Sequence, residues 1–228
     1  MILKPMFKYF GGKYRSAPYY PPPKFKTIIE PFAGSAGYSL RYPQKQIILI
    51  EKYEKIFAIW QYLIKVYPSE VRALPLLDEG DSIDDFNITQ EAKWLIGFWL
   101  NAGAAAPCKT PCTWMISGIA IGSFWGPRSR ERIARQVDAI KHWKVIYGDY
   151  TDAPDIEATW FIDPPYQDQG IHYKHSSHDI DFSHLSEWCK SRNGQKIVCE
   201  NVGADWLPFD SFRTIKGTEG KYRTGISK

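Results

Sequence analysis

Residues 161–170, FIDPPYQDQG, set an acid, two prolines and a tyrosine at the end of an apolar run. Neither proline offers an N–H and each fixes φ, so the pair cannot lie inside a strand or a helix. Asp163 and Tyr166 are thereby held at a fixed separation on a turn stiffened by Pro164 and Pro165. A carboxylate at Asp163, joined by the backbone carbonyl of Pro164, could accept both hydrogens of a planar amine. The amine lone pair is then freed from the ring, while the face of Tyr166 stacks on the ring itself. Such a turn could hold an amino-base by edge and face.

A second candidate is IIEPFAGSAGYSL, which follows an apolar strand and is expected to open a helix. Gly34 and Gly37, with small Ser35 and Ala36 between them, let the backbone approach a ligand closely. Glu51 ends the next strand, 21 residues after Glu30, and a carboxylate there can accept both hydroxyls of a ribose. The loop is not G-x-G-x-x-G, and no lysine follows it as in a P-loop. A nucleoside-type ligand without a string of phosphates fits better than a dinucleotide or ATP. Cys108 and Cys112 in CKTPC, with His172, His175 and His178 in HYKHSSH, lack a zinc-site spacing, and no metal is assigned to them. Cys189 and Cys199 sit in apolar contexts and are expected in the core.

These residues need a frame to position them. Strand-like runs recur at 26–31, 46–51, 144–149, 159–164 and 195–200, rich in Ile, Val and aromatics without alternation, as in strands buried on both faces. Helical patterns lie between them. One runs from Tyr53 to Tyr67 with Ile56, Ile59, Trp60 and Leu63 on one face. Thr89 can cap a second with Ala92, Leu95, Ile96 and Trp99 inward, and Asp181 a third with Phe182, Leu185, Trp188 and Cys189 inward. Strands alternating with helices predict an α/β doubly wound fold. Residues 74–141 interrupt that rhythm with no convincing strand. The expected organisation is a catalytic domain of residues 1–73 and 142–228, with 74–141 inserted. YYPPPK (19–24) is a short proline linker after an N-terminal arm.

The ordered set FKYFGGKYR (7–15), EPFAGSAG (30–37), LIEKYEK (49–55), GDY (148–150) and DPPY (163–166) resembles the Dam family of DNA adenine N6-methyltransferases, of bacterial and phage type. FWLN (98–101) and DFSHLSEW (181–188) extend the match over most of the chain. The resemblance implies a class I, Rossmann-like methyltransferase sheet, mostly parallel, with a small helical and loop-rich target-recognition insertion. It implies S-adenosylmethionine as cofactor, with no metal, and double-stranded DNA as partner. Tyr9, Phe10, Gly12 and Lys13 would meet the methionine end of the cofactor, Lys13 through its carboxylate. Pro31, Phe32, Gly34, Ser35 and Gly37 would line its path, Glu51 and Lys52 the ribose, and Asp149 and Tyr150 its adenine. Asp163 to Tyr166 would hold the target base. Two departures stand out. The family commonly has Asp where this chain has Glu51, and the asparagine-glycine-arginine that usually follows LN is replaced by AGAAAPCKTPCTW, which removes the basis for inheriting GATC specificity.

The bulk numbers agree with such a partner without demanding it. The 228 residues carry 29 Lys and Arg against 25 Asp and Glu, a net charge of +4. Arg128, Arg132 and Arg135 recur at i, i+4 and i+7, opposite Ile133, Val137 and Ile140, and could lie along phosphates. Lys109 and Trp114 could probe a groove. With few polar groups on that loop, specificity is expected to be short or relaxed. The same amine-gripping turn also suits adenine in RNA or the exocyclic amine of cytosine, and an inactive nucleic-acid-binding module is the alternative of another class. No apolar stretch is long enough to span a bilayer, and four cysteines make no disulfide framework, so a cytoplasmic setting is expected, with no membrane and no obligatory protein partner.

Overall fold

The computed structural model describes residues 2–101, 103–118, 123–168, 170–217 and 220–227, with His172 and residues 211–227 described by backbone alone. Seven strands form one sheet in the order β3-β2-β1-β4-β5-β7-β6. The five parallel strands are β1 (Thr27–Glu30), β2 (Gln46–Glu51), β3 (Lys144–Tyr147), β4 (Ala158–Ile162) and β5 (Gly194–Asn201). β6 (Asp210–Gly217) and β7 (Gly220–Ser227) form an antiparallel hairpin, with β7 paired to β5. The fold is α/β with a mostly parallel, Rossmann-like sheet, the class expected from the sequence.

The strand residues alternate between two apolar layers, as the pleat requires. Ile28, Ile47, Leu49, Phe161 and Ile197 face one cluster; Ile29, Ile50, Trp160, Ile162 and Val198 face the other. The second layer is covered by α6 (Phe182–Ser191), whose Trp188 meets Trp160 edge-on at 5.5 Å. The thicker first layer holds α1 (Glu54–Lys65), α2 (Pro68–Ala73), α3 (Gln90–Gly97), α4 (Thr113–Ile116) and α5 (Pro127–Ala134). Residues 74–141 hold no strand among the described residues. Their buried side chains, Leu74, Leu77, Ile83, Leu95 and Ile96 among them, join the same cluster as Ile28 and Ile47.

Both expected caps form: Thr89 Oγ1 accepts from Ala92 N–H at 3.4 Å and Asp181 Oδ1 from His184 N–H at 3.0 Å. Two expectations are corrected, and the place of the N-terminal arm is settled. The glycine loop opens no α-helix, only a 3-10 turn at Ser39–Arg41. Ala36 takes φ 49°, the Glu30 carboxylate captures Ser39 N–H at 2.7 Å, and Pro43 lacks the donor to continue. β3 is not buried on both faces, because it is the outermost strand, and Tyr147 is 57% exposed. The N-terminal arm is part of the core: Leu3, Met6 and Phe7 are fully buried, and Trp99 Nε1 donates to Met6 O at 2.9 Å. Among the described residues, no helix is long and apolar enough to cross a membrane.

Candidate functional site

Parallel strands bring their carboxyl ends to one edge of the sheet, and here each of the first four ends in an acid. Glu30 closes β1 and Glu51 closes β2, while Asp149 follows β3 and Asp163 follows β4. All four line one cavity of about 260 Å³ at the crevice beside the β1 and β4 ends, where ligands of open α/β sheets bind. Its walls contain every residue that the sequence assigned to a cofactor: Tyr9, Phe10, Gly12 and Lys13 from the arm, Pro31, Phe32, Gly34, Ser35 and Gly37 from the glycine loop, and Glu51, Lys52, Asp149 and Tyr150 from the next two strand ends. Gly37 is required by packing, since a Cβ there would stand 2.5 Å from Tyr14 N and 2.8 Å from Lys13 C. The glycine loop thus carries the backbone that presents Lys13.

Lys13 is the buried cation of the site. Its Nζ lies 2.8 Å from Asp163 Oδ1, donates to Gly11 O at 3.0 Å and sits 4.7 Å from the Tyr166 ring centroid. The approach to Asp163 is off the hydrogen-bonding direction, so Oδ1 is ion-paired but has no well-aligned donor. Burial opposes the ammonium charge, and the Asp163 carboxylate more than restores it, leaving the lysine pKa above its ordinary value. Burial likewise pushes the Asp163 carboxyl up, against the downward pull of Lys13. Each group therefore holds its partner charged inside the protein.

Glu51 accepts from Gly34 N–H at 2.9 Å and from Tyr53 N–H at 2.8 Å, one bond on each oxygen. The carboxylate thereby ties the glycine loop to β2 while lining the cavity. Burial raises its pKa to about 7 despite those bonds. Phe32 stacks on Tyr150 at 5.5 Å and 28°, beside Asp149, which accepts from Thr151 N–H at 2.9 Å and Thr151 Oγ1 at 2.6 Å. Partial burial would raise the Asp149 pKa, but Thr151 and Lys52 outweigh it and the carboxyl lies below its usual value.

Glu30, quoted in the glycine loop but given no role there, is 2% exposed, and burial lifts its pKa to about 8. Its place at a strand end, like that of Glu51, was a signal available in the sequence. Both acids bind protons more tightly folded than unfolded, so the stability they contribute is present below the unfolded pKa near 4.5 and lost as pH rises through about 7 and 8. The stability of the ligand-free protein should fall between pH 5 and pH 8 by up to about 1.4 kcal/mol per pH unit for each group, and its melting temperature with it. Glu30→Gln should flatten that slope. A wild-type melting temperature that rises steadily across this range would exclude raised carboxyl pKa values in the cavity.

The DPPY turn is only partly on the cavity surface. Asp163 and Pro165 line it; Pro164 is buried behind it. Tyr166 does not present its face to the ligand space in this structure. Its ring packs against the core beneath Lys13, and its buried hydroxyl lies beside Asp163 and helps to hold that carboxyl's pKa down. The reason lies at the end of β5, where fully buried Glu200 accepts from Gln167 N–H at 3.2 Å and Trp206 Nε1 at 3.0 Å and draws the turn inward. The opposite cavity wall was not legible beforehand: Tyr173, His175, Ser176 and Asp179 come from the loop after the turn.

The expected nucleic-acid contacts lie outside the cavity and are less free than their spacing suggested. Arg132 is half-buried with its guanidinium 5.1 Å from the Trp99 ring centroid, and Arg135, past the end of α5, pairs with Glu131 at 2.7 Å. The stripe is interrupted because α5 stops at Ala134 and Val137–Ile140 is a 3-10 turn. Arg128 is exposed, Lys109 pairs with Asp84 at 2.5 Å, and Trp114 is 65% exposed. All four cysteines are free thiols, Cys189 and Cys199 in the core as expected. Among the described residues no group of three or more His, Cys, Asp or Glu is arranged to hold a metal.

No protein-family model matches the chain, and no curated protein matches it. Among solved structures it is similar to "Putative methyltransferase yhhF from Escherichia coli", at 10% identity and a TM-score of 0.34 over 89% of this chain and 75% of that one. A likeness of that size carries no argument about what the cavity binds.

Proposed function

We propose that the chain transfers a methyl group from S-adenosylmethionine to the exocyclic N6 amine of adenine in duplex DNA, with the base turned out of the helix to meet Asp163. The observation that carries this reading is the convergence of Glu30, Glu51, Asp149 and Asp163 on one cavity that holds a single buried cation, Lys13, already paired. With that cation already paired and Asp149 held ionised, the lining offers the phosphates of ATP or a dinucleotide no free buried positive charge among the described residues, and it suits a nucleoside.

The donor set fits S-adenosylmethionine. Glu51 lines the cavity and is an acceptor for ribose hydroxyls, and Phe32 with Asp149 offers a face and an acceptor for an adenine ring. Lys13 donates to Gly11 O, is ion-paired with Asp163, and has N–H donors left for a carboxylate. When bound, the cofactor supplies a methyl group on an activated, cationic sulfur. The chain's own work is alignment and electrostatics. Asp163, held ionised by Lys13, accepts the amine hydrogens and keeps the nitrogen lone pair available. The prolines fix that carboxylate, and the buried walls exclude water.

Duplex DNA as partner is supported by the resemblance and by the exposed Arg128 and Trp114 of the 74–141 region, which we assign to target recognition. With Arg135 ion-paired and Arg132 packed on an indole, specificity is expected to be short or relaxed.

The deciding experiment is incubation with methyl-labelled S-adenosylmethionine and duplex DNA, duplex RNA or buffer, followed by digestion to nucleosides. Label in N6-methyladenine from DNA is the expected result. Label confined to RNA or to N4-methylcytosine would redirect the reading to that substrate, and absence of label with intact DNA binding would leave a binding module.

A further inference from the structure

We infer that Tyr173, on the loop after the DPPY turn, supplies the aromatic face against which the methyl-accepting base is held. The inference rests on the activity proposed above and names the residue that grips its substrate.

A base whose amine meets Asp163 needs an aromatic wall on the cavity side of that carboxylate. Tyr166 does not provide it here, since its ring lies beneath Lys13 and packs on the core. Tyr9 is committed to the other end, wedged between Phe98 at 5.7 Å and the glycine loop, where a Cβ on Gly34 would stand 3.2 Å from its ring. Tyr173 remains. It lines the cavity, meets Phe10 edge-on at 5.4 Å and lies 5.9 Å from Tyr9. It is close enough to the ion pair that, after burial, Lys13 and Asp163 are the groups that most affect its hydroxyl, whose pKa is raised to about 12.

The backbone is arranged around this ring. Gly11 takes φ +71°, and a Cβ there would come within 1.8 Å of the Tyr173 hydroxyl, so only glycine lets the ring tip lie on the arm. The hydroxyl donates to Phe10 O at 3.4 Å. At its base, the loop is folded back on the catalytic turn: Gly170 N–H donates to Tyr166 O at 2.7 Å, with no room for a side chain against Pro165 and Ser177. Tyr173 is therefore tied to the arm at its tip and, through Gly170, to the DPPY turn at the base of its loop.

The test compares wild type, Tyr173→Ala and Tyr173→Phe in methyl transfer to a mixed-sequence DNA duplex, with S-adenosylmethionine affinity measured by calorimetry. Loss of one stacked base should lower kcat/KM for DNA by about ten- to a hundredfold in Tyr173→Ala. Cofactor affinity should be unchanged, with activities compared at a temperature where the melting curve shows each variant folded, and Tyr173→Phe, which keeps the ring, should retain most of the activity. An unchanged kcat/KM in Tyr173→Ala overturns the inference. So does a parallel loss of cofactor affinity, which would place the ring in the cofactor's wall, or a phenylalanine variant as poor as the alanine one. If wild type itself transfers no methyl group to DNA while binding the cofactor, the proposed activity fails and this assignment falls with it.

Discussion

Asp163→Ala should lose methyl transfer by about 10²–10⁴-fold in kcat, the usual worth of a positioned group that manages a proton in the transition state. It should also be the less stable protein. The carboxylate and Lys13 are 16% and 10% exposed, and removing one member strands the other charge inside, at a cost of about 3–5 kcal/mol. Activity must therefore be compared at a temperature where the variant is folded, checked by its melting curve and by S-adenosylmethionine binding. Asp163→Asn, close in shape but unable to answer Lys13 with charge, should be almost as inactive. Near-normal turnover of either folded variant would remove the carboxylate from the mechanism.

Lys13→Met is expected to damage two functions at once and to separate them by pH. Burial raises the Asp163 pKa and Lys13 pulls it back, so deletion of the ammonium lets it rise further. If, as proposed, the ionised carboxylate accepts the amine hydrogens, the acid limb of the kcat profile should move to higher pH. Cofactor affinity should fall independently of pH by about ten- to a hundredfold, the value of one charge-assisted hydrogen bond of about 1.5–3 kcal/mol. A variant with weakened binding but an unmoved acid limb would show that Lys13 serves the ligand alone. The reverse pattern would show that its ammonium is spent on Asp163 and Gly11.

The sequence determined the parallel half of the sheet, because β1, β2, β4 and β5 are continuous apolar runs that only two-sided burial can satisfy, and their ends are marked by acids, glycines and prolines. It also determined the caps at Thr89 and Asp181, which are local, and the glycine-loop and strand-end side of the cavity, since carboxyl ends of parallel strands must share one edge. The hairpin of β6 and β7 was not visible: the register shift between Ser211 and Arg213 breaks the two-residue period by which such strands are recognised. Nor could periodicity foretell that Arg132 would settle on Trp99 and Arg135 on Glu131, because each partner is set by how helices pack. The inward turn of Tyr166 and the return of Tyr173 over Gly11 were likewise decided by tertiary structure. Glu200 pulls on one side of the DPPY turn, the loop from Gly170 folds over the other, and both contacts join residues that sequence spacing leaves unrelated.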